Sequence, residues 1–167
     1  MAFVALVAVA VFGWETNGAT RPSAARPALP TPRPALTDEE QGYIQSLWPI
    51  HAEVERSTMY VELGEIFYKT GDLSRDELKA RVDQAVATYR DEESQLRALQ
   101  PPASLRGAHD SYLRAVELLQ RSSLEVLKMF DDGDDSHLLA AYPLILEGSG
   151  TIREVGGKFW PEEFMPN

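Results

Sequence analysis

The sequence predicts an all-α protein, an antiparallel up-down-up-down four-helix bundle behind an N-terminal apolar segment and a Pro-rich stalk. Three observations predict it. Apolar residues recur at alternating intervals of three and four through four stretches after Thr37, which puts each set on one helical stripe. Helix start and stop signals fall between those stretches: capping boxes at Thr37/Glu40 and Ser74/Glu77, Gly71, the Pro101-Pro102 pair and the run Asp131-Asp-Gly-Asp-Asp135. The connections are only a few residues long, so consecutive helices lie side by side and run in opposite directions.

A chain of 167 residues with 44% hydrophobic content is long enough for one domain with a real core. The organisation read from composition is a signal or membrane-anchor segment over 1–18, a Pro/Ala/Arg-rich linker over 19–36 and a four-helix domain over 37–167. Cysteine is absent, which removes disulfides, thiolate metal sites, covalent haem attachment and thiol nucleophiles, and leaves packing as the source of stability. Residues 1–36 carry three arginines against Glu15, so of the net charge of −10 the remainder of the chain carries −12. An acidic surface of that size repels phosphate, and no basic stripe offsets it; nucleic acid is excluded as a partner.

Met1–Trp14 is uncharged and apolar without a helical face, the pattern of a signal-peptide core or a membrane anchor. At about 1.5 Å per residue it covers roughly 20 Å, short of the ~30 Å hydrocarbon core. It lacks a basic flank and a lipid-accepting cysteine, and Asn17-Gly18-Ala19 is a poor cleavage site. The alternative is an apolar segment that packs on the domain. The linker holds prolines at 22, 27, 30, 32 and 34, a spacing that favours polyproline II and makes a semi-rigid stalk.

In helix one, Ile44, Leu47, His51, Val54, Thr58 and Val61 share a stripe, and Pro49 predicts a kink near Ser46 or an early break. Helix two starts at Ser74, with Leu73 and Leu78 placed as a hydrophobic staple, and carries Leu78, Val82, Ala85, Tyr89, Glu92, Leu96 and Leu99. Gln100 ends it, and Pro102 is expected in the first turn of helix three, which runs to Phe130 along Leu105, His109, Tyr112, Val116, Leu119, Ser123 and Val126 or Leu127. Helix four follows with Leu138, Tyr142, Ile145, Ser149, Ile152, Gly156 and Phe159, weakened by Pro143 and by its glycines and serines. The bulky tail Phe159–Met165 is expected to pack over one end of the bundle.

The seams of helices one to three contain His51, Glu92 and His109. Folding helix one onto helix two about residue 72, and helix two onto helix three about residue 101, brings the three to one height within roughly 3 Å. A carboxylate and two imidazoles facing inward can hold a divalent cation, and the same groups can form a buried hydrogen-bond network, with Glu92 paired to a histidine or to Tyr112. The Glu-x-x-His pairs of di-iron bundles do not occur. Asp131–Asp135 fails the calcium-loop pattern and reads as a helix stop followed by a helix start, with His137 solvated. No Gly-rich phosphate loop, nucleophile elbow or His-Glu-x-x-His is present, and Ser111, Ser122 and Ser123 lie on helices without a placed base; no enzyme and no cofactor are expected.

The run Leu96-x-x-Leu99-x-Pro101-Pro102-x-x-Leu105-x-x-x-His109-x-x-Tyr112, behind an apolar start and a Pro-rich spacer, resembles a loose group of bacterial envelope proteins of unknown function with helical extracytoplasmic domains. The resemblance covers one helix-turn-helix. The lipoproteins of that group carry a lipid-accepting cysteine that this chain does not have. It implies an extracytoplasmic location, membrane-anchored or secreted, and transfers no catalytic residue. The functional expectation is a non-enzymatic interaction module or accessory subunit that meets the membrane through its N-terminal segment and an envelope or membrane protein through its bundle. The alternative is a sensor or carrier that binds a small ligand or divalent cation in the polar layer.

Overall fold

The computed structural model describes residues 35–160, and the N-terminal segment, most of the linker and the end of the tail lie outside them. Among the described residues there are four helices and no strand: α1 Asp38–Thr70, α2 Arg75–Ala98, α3 Arg106–Asp132 and α4 Ser136–Phe159. They form a four-helix bundle whose core holds Leu47, Val54, Leu78, Tyr89, Tyr112, Leu119 and Met129, all essentially without solvent contact. Each such side chain removed from water contributes about 1.5–3 kcal/mol before the entropy of ordering is counted.

Both capping boxes form. Thr37 and Ser74 accept from the backbone N–H of Glu40 and Glu77, and those glutamates accept from the cap N–H at 2.8 and 2.9 Å. α1 ends at Gly71 and α3 at Gly133, both in the left-handed region at φ 83° and 79°, where an L side chain would be strained. Leu73 is partly buried against the core cluster to which Leu78 belongs.

Three expectations about elements are corrected. α1 is not broken at Pro49. The proline and Gln45, whose carbonyl loses its helical partner, are both on the exposed side, where solvent can reach that carbonyl. Pro143 is tolerated in α4 for the same reason, since Pro143 and Leu139 both face outward. Helix three does not begin at Pro102: residues 99–105 form the connection, the Leu105 N–H bonds the Pro102 carbonyl at 2.9 Å, and helical bonding starts with His109 to Leu105. The stripe of α4 is also rotated. Ala141, Gly148 and Val155 are buried with Leu138, Ile145 and Ile152, while Tyr142 is exposed.

The rotation follows from how closely α4 approaches α3. A Cβ added to Gly148 would sit 3.0 Å from Leu119 and 3.1 Å from the Ala115 carbonyl oxygen, so the two helices touch through backbone at this point. Ser122 Oγ donates to the Ala141 carbonyl at 3.1 Å two turns earlier on α4. Elsewhere Thr58 meets Tyr89 at 3.0 Å across α1 and α2, and Arg75 donates to the Met129 carbonyl across α2 and α3. α4 packs extensively on α3 and only narrowly on α1, which leaves the α1–α4 seam open.

Candidate functional site

His51, Glu92 and His109 are all buried, but they do not come together as one set. Each histidine engages a tyrosine from another helix: His51 Nδ1 and the Tyr112 hydroxyl share a hydrogen bond of 2.9 Å, and His109 Nδ1 and the Tyr43 hydroxyl share one of 2.9 Å. Burial pushes His51 down to about 4, so its imidazole is neutral at pH 7, and it pushes the Tyr43 hydroxyl up to about 12, with Asp110 adding to the rise. Trp160 stacks on His51 with ring centroids 4.7 Å apart and packs edge-on against Trp48, closing that end of the bundle.

Glu92 is the odd member. Burial raises its carboxyl above the usual range, the charges of Glu53 and Asp91 raise it further, and Gln95 opposes them. Its Oε2 meets no hydrogen-bond donor among the described residues. Among those residues, too, no group of three or more histidine, aspartate or glutamate side chains is placed to hold a metal ion.

The acidic run after α3 does local work. Asp132 accepts from the Asp134 N–H and Asp134 from the Ser136 N–H, both at 2.9 Å, so these carboxylates satisfy the stop of one helix and the start of the next. His137 is not simply solvated: it bonds Glu125 at 2.8 Å and Asp132 at 2.9 Å, and these partners raise its pKa.

The feature missed by sequence reasoning is the open seam. A groove of about 400 Å³ runs between α1 and α4, walled by Glu62 and Glu65 on one side and floored by Ile66, Tyr142, Ile145 and Leu146. A smaller recess of about 60 Å³ at Glu55 and Met59 continues it, sharing Glu62, Ser149 and Arg153. Its apolar side chains are unusually open: Tyr142 is 62% exposed, Leu146 58%, Met59 57% and Ile66 54%. The signal was present in the composition of helix four. From Leu138 to Leu146 there is no charged residue, more apolar surface than one core-facing stripe requires.

The electrostatics of this seam are unbalanced. Burial pushes Glu65 up to about 7, with Lys69 opposing and Glu62 adding; Glu62 and Glu55 are also raised by burial, against the pull of Arg153. None of Glu55, Glu62, Glu65 and Arg153 makes a side-chain hydrogen bond or ion pair among the described residues.

Fold and site together define a small acidic helical bundle with a buried His–Tyr interior and an open apolar seam. No family model, curated protein or solved structure matches the chain.

Proposed function

We propose that the chain is a membrane-tethered, extracytoplasmic up-down-up-down four-helix bundle that acts without catalysis, as a protein-interaction module or accessory subunit of a membrane complex in a bacterial envelope. The observation that carries this reading is the α1–α4 seam, where four large apolar side chains stand more than half exposed. Isolated exposed apolar residues are ordinary, whereas a contiguous set lining a groove marks a surface that another molecule covers. The pairs Arg75/Met129 and Ser122/Ala141 support the alternating topology, because in each a residue from the later part of one helix meets one from the earlier part of its neighbour, and Thr58 and Tyr89 lie at similar distances in sequence from the α1–α2 turn. Tethering rests on Met1–Trp14 and the proline spacing that follows it. Among the described residues no helix is long and apolar enough to cross a membrane, so the proposed anchor is that segment alone.

The test places a photo-crosslinking amino acid at Leu146 of the full chain in its native cells and resolves the membrane fraction. A discrete adduct with a membrane or envelope protein is expected, and recovery of the uncrosslinked chain alone overturns the reading.

A binding function for the interior layer is the competing reading, and the Glu92 oxygen without a donor is the observation in its favour. It requires the His51–Tyr112 and His109–Tyr43 bonds to open before either Nδ1 can reach a cation. Elemental analysis of native protein decides it: stoichiometric divalent metal, lost in His51→Ala and His109→Ala, would establish the layer as a site.

A further inference from the structure

We infer that the α1–α4 groove is the docking site for one amphipathic helix of a partner protein, about four turns long, which presents an apolar stripe flanked by lysine or arginine. The inference rests on the interaction-module reading and adds the chemistry of the partner. Length comes first. The open seam extends along α1 from Glu55 to Lys69, or about 21 Å at 1.5 Å per residue, the span of some fourteen helical residues.

Spacing argues for a helix rather than a strand. Tyr142 and Leu146 stand one turn apart on α4, and Met59 and Ile66 lie two turns apart on α1, so the seam offers side chains with helical periodicity from both helices. Ridges of that period receive the i, i+3, i+7 side chains of a third helix laid between them. The seam has no row of free backbone donors and acceptors with which to extend a strand, because its walls are helices.

Charge selects the flanks. Three carboxylates, the partly buried Glu62 and Glu65 and the more exposed Glu55, face two cations, Arg153 and Lys69, and the domain around them is strongly acidic. A cation delivered by the partner would relieve carboxylates that burial has left short of countercharge.

The same balance counts against the other occupants. A second copy would bring its own three glutamates to the seam, and an anionic lipid surface would be repelled. The C-terminal tail starts beside Trp48 and His51, where Trp160 is packed. Ile66 lies fifteen residues further along α1, about 22 Å away, so the five residues from Trp160 to Met165, which span at most ~17 Å, could approach only the Glu55–Met59 end of the seam, and a crosslink from position 146 to that tail would overturn the inference. The apolar run Met1–Trp14 carries no cation.

The test uses three synthetic peptides of about four turns: one with leucines at alternating intervals of three and four flanked by lysines, a twin with glutamates in place of the lysines, and a shuffled twin of the first. Binding to the full chain is read by fluorescence anisotropy, and crosslinking from position 146 reports where the peptide lies. The lysine peptide is expected to bind saturably and to crosslink at the seam, with the glutamate twin at least about tenfold weaker and the shuffled twin inactive. Glu62→Gln with Glu65→Gln should weaken the lysine peptide about tenfold, and Leu146→Asp should abolish it, in variants whose melting confirms an intact fold. Equal binding of the lysine and glutamate peptides, equal binding of the shuffled peptide, or indifference to Leu146→Asp overturns the inference. So does a seam crosslink to a second copy or to residues 1–34 of the same chain. If the peptides fail while the native membrane adduct persists, only the helix assignment falls; if both fail, the interaction reading falls with it.

Discussion

Two single residues pull the pH dependence of stability in opposite directions. Glu65 sits in the seam with its carboxyl raised from 4.5 to about 7, so between these values the folded chain holds a proton that the unfolded chain has lost, and stability falls as pH rises. His51 has its imidazole lowered from 6.5 to about 4; there the unfolded chain holds the extra proton, and stability is lost as pH falls from 6.5 toward 4. The two slopes oppose each other across most of the acidic range, with Glu55 and Glu62 acting in the same sense as Glu65. Glu65→Gln keeps the shape and removes the charge. It should raise Tm above pH 7, leave Tm unchanged near pH 4.5 and make stability rise with pH between those limits; an equal change at both ends would contradict the assignment. Tyr112→Phe probes the interior instead. Removing the hydroxyl bonded to His51 Nδ1 leaves a buried polar atom without that partner, a loss of about 1–3 kcal/mol in urea denaturation with the m-value unchanged. A loss below a few tenths of a kcal/mol would mean that the pair does not hold the core.

At the scale of the helix, what could be read from the chain depended on whether the deciding partner was near in sequence. Thr37/Glu40 and Ser74/Glu77 are local, and both boxes form as the spacing predicts. Pro49 and Pro143 do not end their helices, because the cost of a proline depends on which side of the helix it occupies, and only packing decides that. His51, Glu92 and His109 were correctly placed in the interior, since stripe membership is periodic; their partners Tyr43 and Tyr112 come from other helices, and no count along one chain supplies side-chain reach. The rotation of α4 is the clearest case of a tertiary override, with Gly148 taking the position that the stripe assigned to Ser149. That close approach makes a paired prediction. Gly148→Ala forces a methyl into Leu119 and the Ala115 carbonyl and should destabilise by about 1–3 kcal/mol, whereas Gly150→Ala meets nothing within 4 Å and should stabilise by about 0.5–1 kcal/mol through helix propensity alone. Chemical denaturation of the two variants checks it; stabilisation by both would show that the helices separate at no cost and that the seam is not held open by a fixed α3–α4 pair.

For the whole molecule, the asymmetry of packing connects fold to function. α4 is bound tightly to α3 through Gly148 and loosely to α1, so the apolar surplus of Leu138–Leu146 emerges along one seam instead of being distributed round the bundle. The acidic domain and the uncharged run Met1–Trp14 lie on either side of a proline-rich spacer that has no amphipathic pattern, and the unit containing the helices begins at Ala35. Stability and location should therefore separate. A fragment beginning at Ala35 retains the capping box at Thr37, both His–Tyr bonds and the whole apolar core, so its Tm should match that of the full chain within about 2 °C. Its partition should differ: the full chain is expected in the membrane fraction and the fragment in the soluble one, because a bundle carrying −12 has no attraction to an anionic surface. Scanning calorimetry and sedimentation of membranes from cells expressing each form measure the two quantities independently. A fragment that melts far lower would show that residues 1–34 belong to the folded core, and the stalk reading would fail. A fragment that stays with the membrane would move the tether from the N-terminal segment to the open seam, and the groove would then have to be judged as a lipid or membrane-protein contact in its own right.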